Sequence, residues 1–307
     1  MSVAIIINPI SGGAPPGAAR TRAELALAAT ERHGDRAEVF VTERTGHARE
    51  LAKAAVRRGV RLVLVWGGDG TVNEVASALA FDDVPLGFVP AGSGNGLATE
   101  LGISRRPEHA IAAALAAEPR PIDVGEIGGR LFVNVAGVGI DACVAAQFNH
   151  EANTKRGLLG YVGISARALL TYTPQSYRIN VGRAYTSEGN DFSRPSEATL
   201  SVQAVIVTIA NGPQFGNNAR IAPGARFDDG FLDLVVVEET SRLQTLRHVP
   251  KLFSGRAERV PGYSAMRIRR AAIECDRAMT FHVDGEPVRG GSCLNVRVHP
   301  GALLVLA

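Results

Sequence analysis

Residues 62–74 read LVLVWGGDGTVNE, and how this stretch is parsed decides the fold. Leu62 to Trp66 is an unbroken apolar run, which suits a short strand buried on both faces of a parallel sheet. Gly67, Gly68, Asp69 and Gly70 follow directly. Behind Thr71, the residues Val72, Val75, Ala76 and Leu79 recur at helical spacing. The stretch therefore predicts strand, glycine turn, helix. Thr71 is the expected N-cap, with Glu74 three residues on as its capping-box partner. Such a turn aims backbone N–H groups and the positive end of a helix dipole at its contents, and phosphate is the natural guest. A turn that holds no ligand is the plainer alternative. Three glycines, an aspartate and a second turn of the same kind nearby favour a ligand.

Outward from this centre the pattern repeats. Residues 3–7 predict a buried strand, closed by Asn8-Pro9-Ile10-Ser11-Gly12-Gly13. A helical stretch leads to Gly34, and residues 37–41 predict a strand ending at Thr42. A helix runs from about Gly46 to Val56. Residues 85–89 predict a strand that ends in a turn containing Gly92, Ser93, Gly94, Asn95 and Gly96. An alanine-rich helix follows over 107–117. Strands alternating with helices imply right-handed crossovers and a parallel sheet. Four strands then end in polar turns on one edge, where such sheets bind ligands. GxxxxGK[ST] is absent, and no GxGxxG follows the first strand, so neither familiar phosphate fingerprint applies. Backbone amides and Asn, Ser and Thr side chains would do the cradling.

The 307 residues are 46% hydrophobic and 21% charged, an ordinary globular composition long enough for two domains. A formal charge of +3 is too small to point to nucleic acid. Cys143, Cys275 and Cys293 are unpatterned and fit reduced thiols in a cytoplasm. The first ten residues, MSVAIIINPI, lack the basic start of a leader. No apolar run approaches the roughly 18 residues a membrane-spanning helix needs.

Near Pro119-Arg120-Pro121 the texture changes. Strands are expected at 122–127, 131–137, 176–182, 198–211, 231–238, 266–274, 279–283, 294–298 and 302–306, with turn signals between many of them. This predicts an α/β domain over 1–121 followed by a β-rich antiparallel sandwich or barrel over 122–299. Helices are expected at about 139–170 and 242–254, and a solvated hairpin loop at 184–197. The apolar run 157–172 suits a core helix or a lipid-facing surface equally. The basic run from 242 could meet anionic headgroups, though a solvated helix face is the commoner meaning of such a pattern.

Three acidic clusters stand in this half. Asp228, Asp229 and Asp233 precede or open an apolar run, and hard cations favour carboxylates; a polar turn is the plainer reading. Asp284-Gly285 is a strong hairpin signal, and Glu286 beside it could act as a general base toward a hydroxyl. Asn134, Gly137, Gly139 and Asp141 form a third cluster, either a capped strand-to-helix turn or the lining of a substrate cleft.

Taken together, NPISGG, TERTGHARELA, GGDGTVNEV, PLGFVPAGSGNGLATELGI, FVNVAGVGIDA, ANGPQFGNNARIAPGARFDDGFLDL and DGEP resemble the diacylglycerol kinase catalytic superfamily, in its order and over most of the chain. That superfamily includes soluble bacterial lipid kinases and sphingosine and ceramide kinases, with NAD kinases as distant relatives. The resemblance implies an ATP-binding α/β domain and a β-rich acceptor domain, with ATP and Mg²⁺ as cofactors. It assigns nucleotide contacts to Asn8, Ser11, Gly12, Thr42, Gly67, Gly68, Asp69, Gly70, Thr71, Asn73, Ser93 and Asn95. Asp69 would help orient metal and phosphates. Asp284 or Glu286 would be the base. The Asp229 carboxylate with the carbonyls near Arg226 and Phe231 would hold magnesium, and Asp141 would touch the acceptor headgroup. The last residues, 300–307, would return to the first domain. Ser93, and the lack of an aspartate after Asn95, lean toward the sphingosine-kinase form of that turn. The implied partners are a lipid substrate and the inner face of a membrane, with no nucleic acid; a homodimer stays open. A NAD-kinase-like enzyme with a soluble acceptor and a non-catalytic nucleotide- or lipid-binding module are the competing readings.

Overall fold

A computed structural model describes residues 2–151, 168, 171–185, 196–216, 219–239, 248, 251 and 255–307. The expected loop at 184–197, the apolar run 157–172 and the basic run from 242 lie wholly or largely outside the described residues. The chain divides into two compact units, Met1–Ile122 with Gly301–Ala307, and Asp123–Pro300.

In the first unit, β1 (Ser2–Ile7), β2 (Arg36–Val41), β3 (Leu62–Gly67) and β4 (Leu86–Pro90) form a parallel sheet in the order β4-β3-β1-β2. Beyond β4 the sheet is extended by Val305 and Leu306, the end of the last strand, β16 (Cys293–Leu306). Every residue of β3 is buried, as its unbroken apolar run requires. On one face Ile5, Leu62, Leu64 and Trp66 pack with Ala26 and Ala29 of α1 (Ala18–Arg32) and with Ile111 and Ala114 of α5 (Pro107–Ala116). α2 (His47–Arg57) and α3 (Asp69–Leu79) pair with each other. Because β2 and β3 lie on opposite sides of β1, the strand order reverses there. That makes the carboxyl ends of β1 and β3 the place where such sheets open a crevice.

The second unit is antiparallel. β9 (Ser196–Ala210) pairs with β8 (Gln175–Tyr185) through its first half and with β12 (Leu232–Glu238) through its second. β13 (Tyr263–Glu274) does the same, meeting β12 at one end and β8 at the other. The four strands therefore close on themselves, the two long ones turning the corners. Ile209, Leu234, Ile268, Phe281 and Phe132 are among the buried residues that fill this unit's core. Outside the ring, β7 (Val135–Gly139) adds to β9, β14 (Thr280–Val283) to β7, and β15 (Glu286–Arg289) to β14. α6 (Ile140–Glu151) leads off β7.

Two boundaries differ from expectation. The strand expected over 131–137 is two strands, β6 (Arg130–Phe132), paired with β5 (Arg120–Ile127), and β7. The strands expected at 294–298 and 302–306 are one continuous β16 that runs through Pro300 and Gly301, the latter at φ +62°.

Candidate functional site

In the first unit, side chains tie the expected turns to one another. Asn8 ends β1; its N–H donates to the Trp66 carbonyl and its Nδ2 to Thr71 Oγ1, both at 2.9 Å. Thr71 is therefore not the N-cap. The helix opens two residues earlier at Asp69, with Gly68 extended at the cap, and the Thr71 hydroxyl is turned to Asn8. Gly68 packs closely on Gly92: a Cβ there would lie 3.1 Å from Gly92 Cα. Asp69, expected to orient metal and phosphate, accepts the N–H groups of Asn95 and Gly96 on its two oxygens, each at 2.8 Å. These amides open the short helix α4 (Gly96–Glu100), and a carboxylate is well placed against such an end. Asn95 closes its own turn with Gly92, accepting its N–H at 2.8 Å and donating to its carbonyl at 2.6 Å.

Glu74 does not complete a capping box. Its two oxygens accept from Gly46 N–H at 2.7 Å and Ala48 N–H at 3.0 Å, so it caps α2 from a neighbouring helix. Thr42, buried at the end of β2, donates its N–H to the Ile7 carbonyl at 2.9 Å. Ser11 and Gly12 lie in a single 3₁₀ turn (Ser11–Gly13). Gly12 has φ +70°, and a Cβ on it would sit 2.2 Å from the Ala91 carbonyl oxygen, so no other residue fits. Ser93 is exposed at the tip of its turn, and Asn73 is buried on α3, its Oδ1 accepting from Ser77 Oγ at 3.5 Å. Gly67 is the last residue of β3, and Gly70 lies in the first turn of α3. Arg22 is a participant that sequence reading missed. From α1 it donates to the Asn8 carbonyl at 2.7 Å, to Ser11 Oγ at 2.8 Å and to the Ser11 carbonyl at 2.9 Å, with its guanidinium over the Trp66 ring. An arginine in a polar helix carries no local signal for that task. The result is a set of glycine turns held rigid from behind at the head of α3, whose first-turn amides have no helical acceptor of their own. This arrangement fits a chain of phosphates.

In the second unit the β14–β15 hairpin turns through Asp284 (φ +48°) and Gly285 (φ +84°), the primed turn that Asp-Gly favours. The Asp284 carboxylate accepts three backbone N–H groups, Val133 and Asn134 at 2.9 Å and Val135 at 3.0 Å. This grip holds the bend between β6 and β7 and explains why the expected strand is broken there. Asp284 is thus an anchor, and Glu286, two residues on, is the exposed acid of the turn. Asp141 was expected to face the acceptor headgroup. It is 4% exposed, and its carboxylate accepts from Thr208 Oγ1 at 3.1 Å and Ala142 N–H at 2.8 Å.

The Asp229 carboxylate, expected to hold magnesium with the carbonyls near Arg226 and Phe231, is engaged by other groups. Asp229 Oδ1 accepts the Phe231 N–H at 3.0 Å, and Oδ2 forms an ion pair with Arg267. Burial raises the Asp229 carboxyl above its usual range despite that pair. Arg226 turns its side chain to Asp228 at 3.2 Å, and the guanidinium groups of Arg267 and Arg269 stack on the Phe231 ring. Among the described residues, no three His, Cys, Asp or Glu side chains gather as a metal site. With a guanidinium already neutralising Asp229, these residues do not fit a magnesium ion there, and none of the chemistry below runs through one. No described helix is long and apolar enough to cross a membrane.

Residues 2–127 match the diacylglycerol kinase catalytic domain, and residues 134–307 match the YegS C-terminal NAD kinase beta sandwich-like domain. A Chromohalobacter salexigens protein named "Probable lipid kinase YegS-like" is 30% identical, over 89% of this chain and 85% of its own. The diacylglycerol kinase of Mycobacterium tuberculosis is 29% identical, over 92% of this chain and 88% of its own. The crystal structure of a diacylglycerol kinase from Bacillus anthracis superposes with a TM-score of 0.70 at 19% identity, covering 99% of this chain and 96% of that one. That last likeness bears on the fold.

Proposed function

The chain belongs to the diacylglycerol kinase catalytic family of lipid kinases, and on that premise we propose that it moves the γ-phosphate of ATP to a lipid hydroxyl, with diacylglycerol or a sphingoid-type lipid as acceptor. The observation that carries this reading is the way Asp69, Asn8 and Glu74 brace the glycine turns at the carboxyl ends of the parallel strands. Bracing of this kind suits a site that must hold a triphosphate in line with an attacking oxygen. Phosphoryl transfer needs little covalent chemistry from the protein, and alignment with charge neutralisation does most of the work.

In this reading the amides at the head of α3, with Ser11, Thr42, Ser93 and Asn95 around them, receive the phosphates of ATP, which arrives as its magnesium complex. Asp69 keeps the second turn in register with the first. Glu286 takes the proton of the acceptor hydroxyl as its oxygen attacks the γ-phosphorus and ADP leaves. Glu286 is preferred over Asp284 because the Asp284 carboxylate already holds three amides. The acceptor lipid brings the protein to the inner face of a membrane as a peripheral visitor.

The test is transfer of γ-³²P from ATP·Mg²⁺ to diacylglycerol, sphingoid base, ceramide and phosphatidylglycerol in detergent micelles, with soluble NAD alongside. A labelled, chloroform-extractable product is expected and names the acceptor class. Label on NAD alone would replace the lipid with a soluble acceptor. ATP binding with no transfer to any acceptor would overturn the kinase reading in favour of a binding module.

A further inference from the structure

Behind the Asp284–Gly285–Glu286 turn runs a buried chain of polar groups that the proposed transfer does not itself use. Thr208 of β9 donates to Asp141 Oδ2 at 3.1 Å. His282 Nε2 lies 3.4 Å from the same oxygen, and His282 Nδ1 accepts the Gly285 N–H at 3.3 Å. The side chains of His282 and Asp141 are each 2% exposed. Gly137 leaves the room this needs, since a Cβ there would lie 2.5 Å from Asp141 Oδ2.

The proton count along this chain has one solution. A backbone N–H can only donate, so Nδ1 must present a lone pair. A neutral imidazole then carries its proton on Nε2, where it faces the Asp141 carboxylate. Donation therefore runs from Gly285 to His282 to Asp141, and Thr208 helps hold the carboxylate at the end. The ring also sits where packing alone would not ask for it. Phe281 and Val283, on either side of it in β14, belong to the core cluster, while His282 alternates to the other face. An apolar side chain could fill that volume, but it could not accept the Gly285 amide.

We propose that His282 is a positioning residue for the acid turn. Its imidazole, oriented by Asp141 and Thr208, fixes the Gly285 peptide and through it the direction of Glu286, the next residue. This rests on the reading of Glu286 as the proton acceptor. It gives Asp141 a role inside the protein, as the group that sets the tautomer of His282.

The test compares His282→Leu with His282→Asn in the full chain. Asparagine places its Oδ1 close to where Nδ1 stood and can still accept the Gly285 N–H; leucine cannot. Three quantities are read: kcat for lipid phosphorylation, KM for ATP, and hydrogen exchange at the Gly285 amide by NMR. For His282→Leu, kcat is expected to fall about 10- to 100-fold, as misplacing a reacting group does. KM for ATP should stay within about threefold, and Gly285 exchange should quicken at least about tenfold. His282→Asn should restore most of both. Thr208→Val, which leaves the turn untouched, should show a smaller loss in the same direction and serves if the leucine variant folds poorly. Equal losses in the leucine and asparagine variants, or wild-type kcat and Gly285 protection in His282→Leu, would overturn the proposal. Should the wild-type protein transfer no phosphate, the kinase reading fails by itself. Gly285 exchange then still decides whether His282 anchors the turn.

Discussion

At the scale of single residues, the two acids of the hairpin separate cleanly. Asp284→Asn suits the backbone, because asparagine tolerates the left-handed conformation that Asp284 adopts. It nonetheless swaps an acceptor for a donor among three amides. We expect a loss of about 1–3 kcal/mol in stability together with lower activity, measured by urea unfolding beside the transfer assay. Glu286→Gln, on an exposed residue, should leave stability within about 0.5 kcal/mol and lower kcat by roughly 10²- to 10⁴-fold. The reverse pattern would make Asp284 the proton acceptor. Asp233 offers a pH test. Burial pushes its carboxyl up to about 6 from 3.8, with Arg267 pulling the other way. An acid raised in the folded state holds its proton after the unfolded chain has lost it. The stability tied to Asp233 is therefore present below about pH 4 and is lost as pH rises toward 6. Asp233→Asn should remove that slope and add roughly 2 kcal/mol at pH 7–8, read from urea midpoints across pH.

Among the elements, the head of α2 depends on a residue of α3. Glu74→Gln keeps one acceptor oxygen and loses the charge that two amides share, at a cost of about 1 kcal/mol. Faster exchange at the Gly46 and Ala48 amides and a higher KM for ATP are the expected signs. Unchanged exchange would mean that the helix holds its own start. The same element shows how a correct sequence signal can be given the wrong partner. Thr71 and Glu74 stand at capping-box spacing, and the helix does begin beside them. Yet Gly68 admits a close approach to Gly92, so the helix opens earlier, and both side chains are released to bind other turns. The strand break at Val133 and Asn134 was illegible for a similar reason. Its cause, Asp284, is 150 residues away in sequence from Asn134.

For the molecule as a whole, one strand belongs to both units. The first part of β16 pairs with β13, and its last residues pair with β4. Leu303, Val305 and Leu306 are buried there. Deleting residues 301–307 removes an edge of the parallel sheet and three buried side chains. Each large one costs about 2–5 kcal/mol when truncated in a core. The shortened chain should lose the thermal transition of the first unit, measured by calorimetry with and without ATP. A retained transition would show that the sheet is complete without β16.

The alternation of strands and helices in the first unit, the antiparallel character of the second and the glycine turns were readable in the sequence; the short helix α4, the strand β15 and the break between β6 and β7 were not. The causes of the readable features are local: apolar runs such as 62–66, helical spacing after Thr71, and the conformations open to glycine and to Asp284-Gly285. Hydrophobic periodicity and turn chemistry act over a few residues, so a linear reading captures them. What each polar side chain touches was decided only by the tertiary structure. Asp69 braces Asn95 and Gly96, and Asp141 faces Thr208 and His282, partners that neither acid's own stretch of sequence names. Arg22 and His282 gave no signal at all. A carboxylate or an imidazole takes whichever donor or acceptor the fold brings within about 3 Å, and that choice depends on packing between segments far apart in the chain.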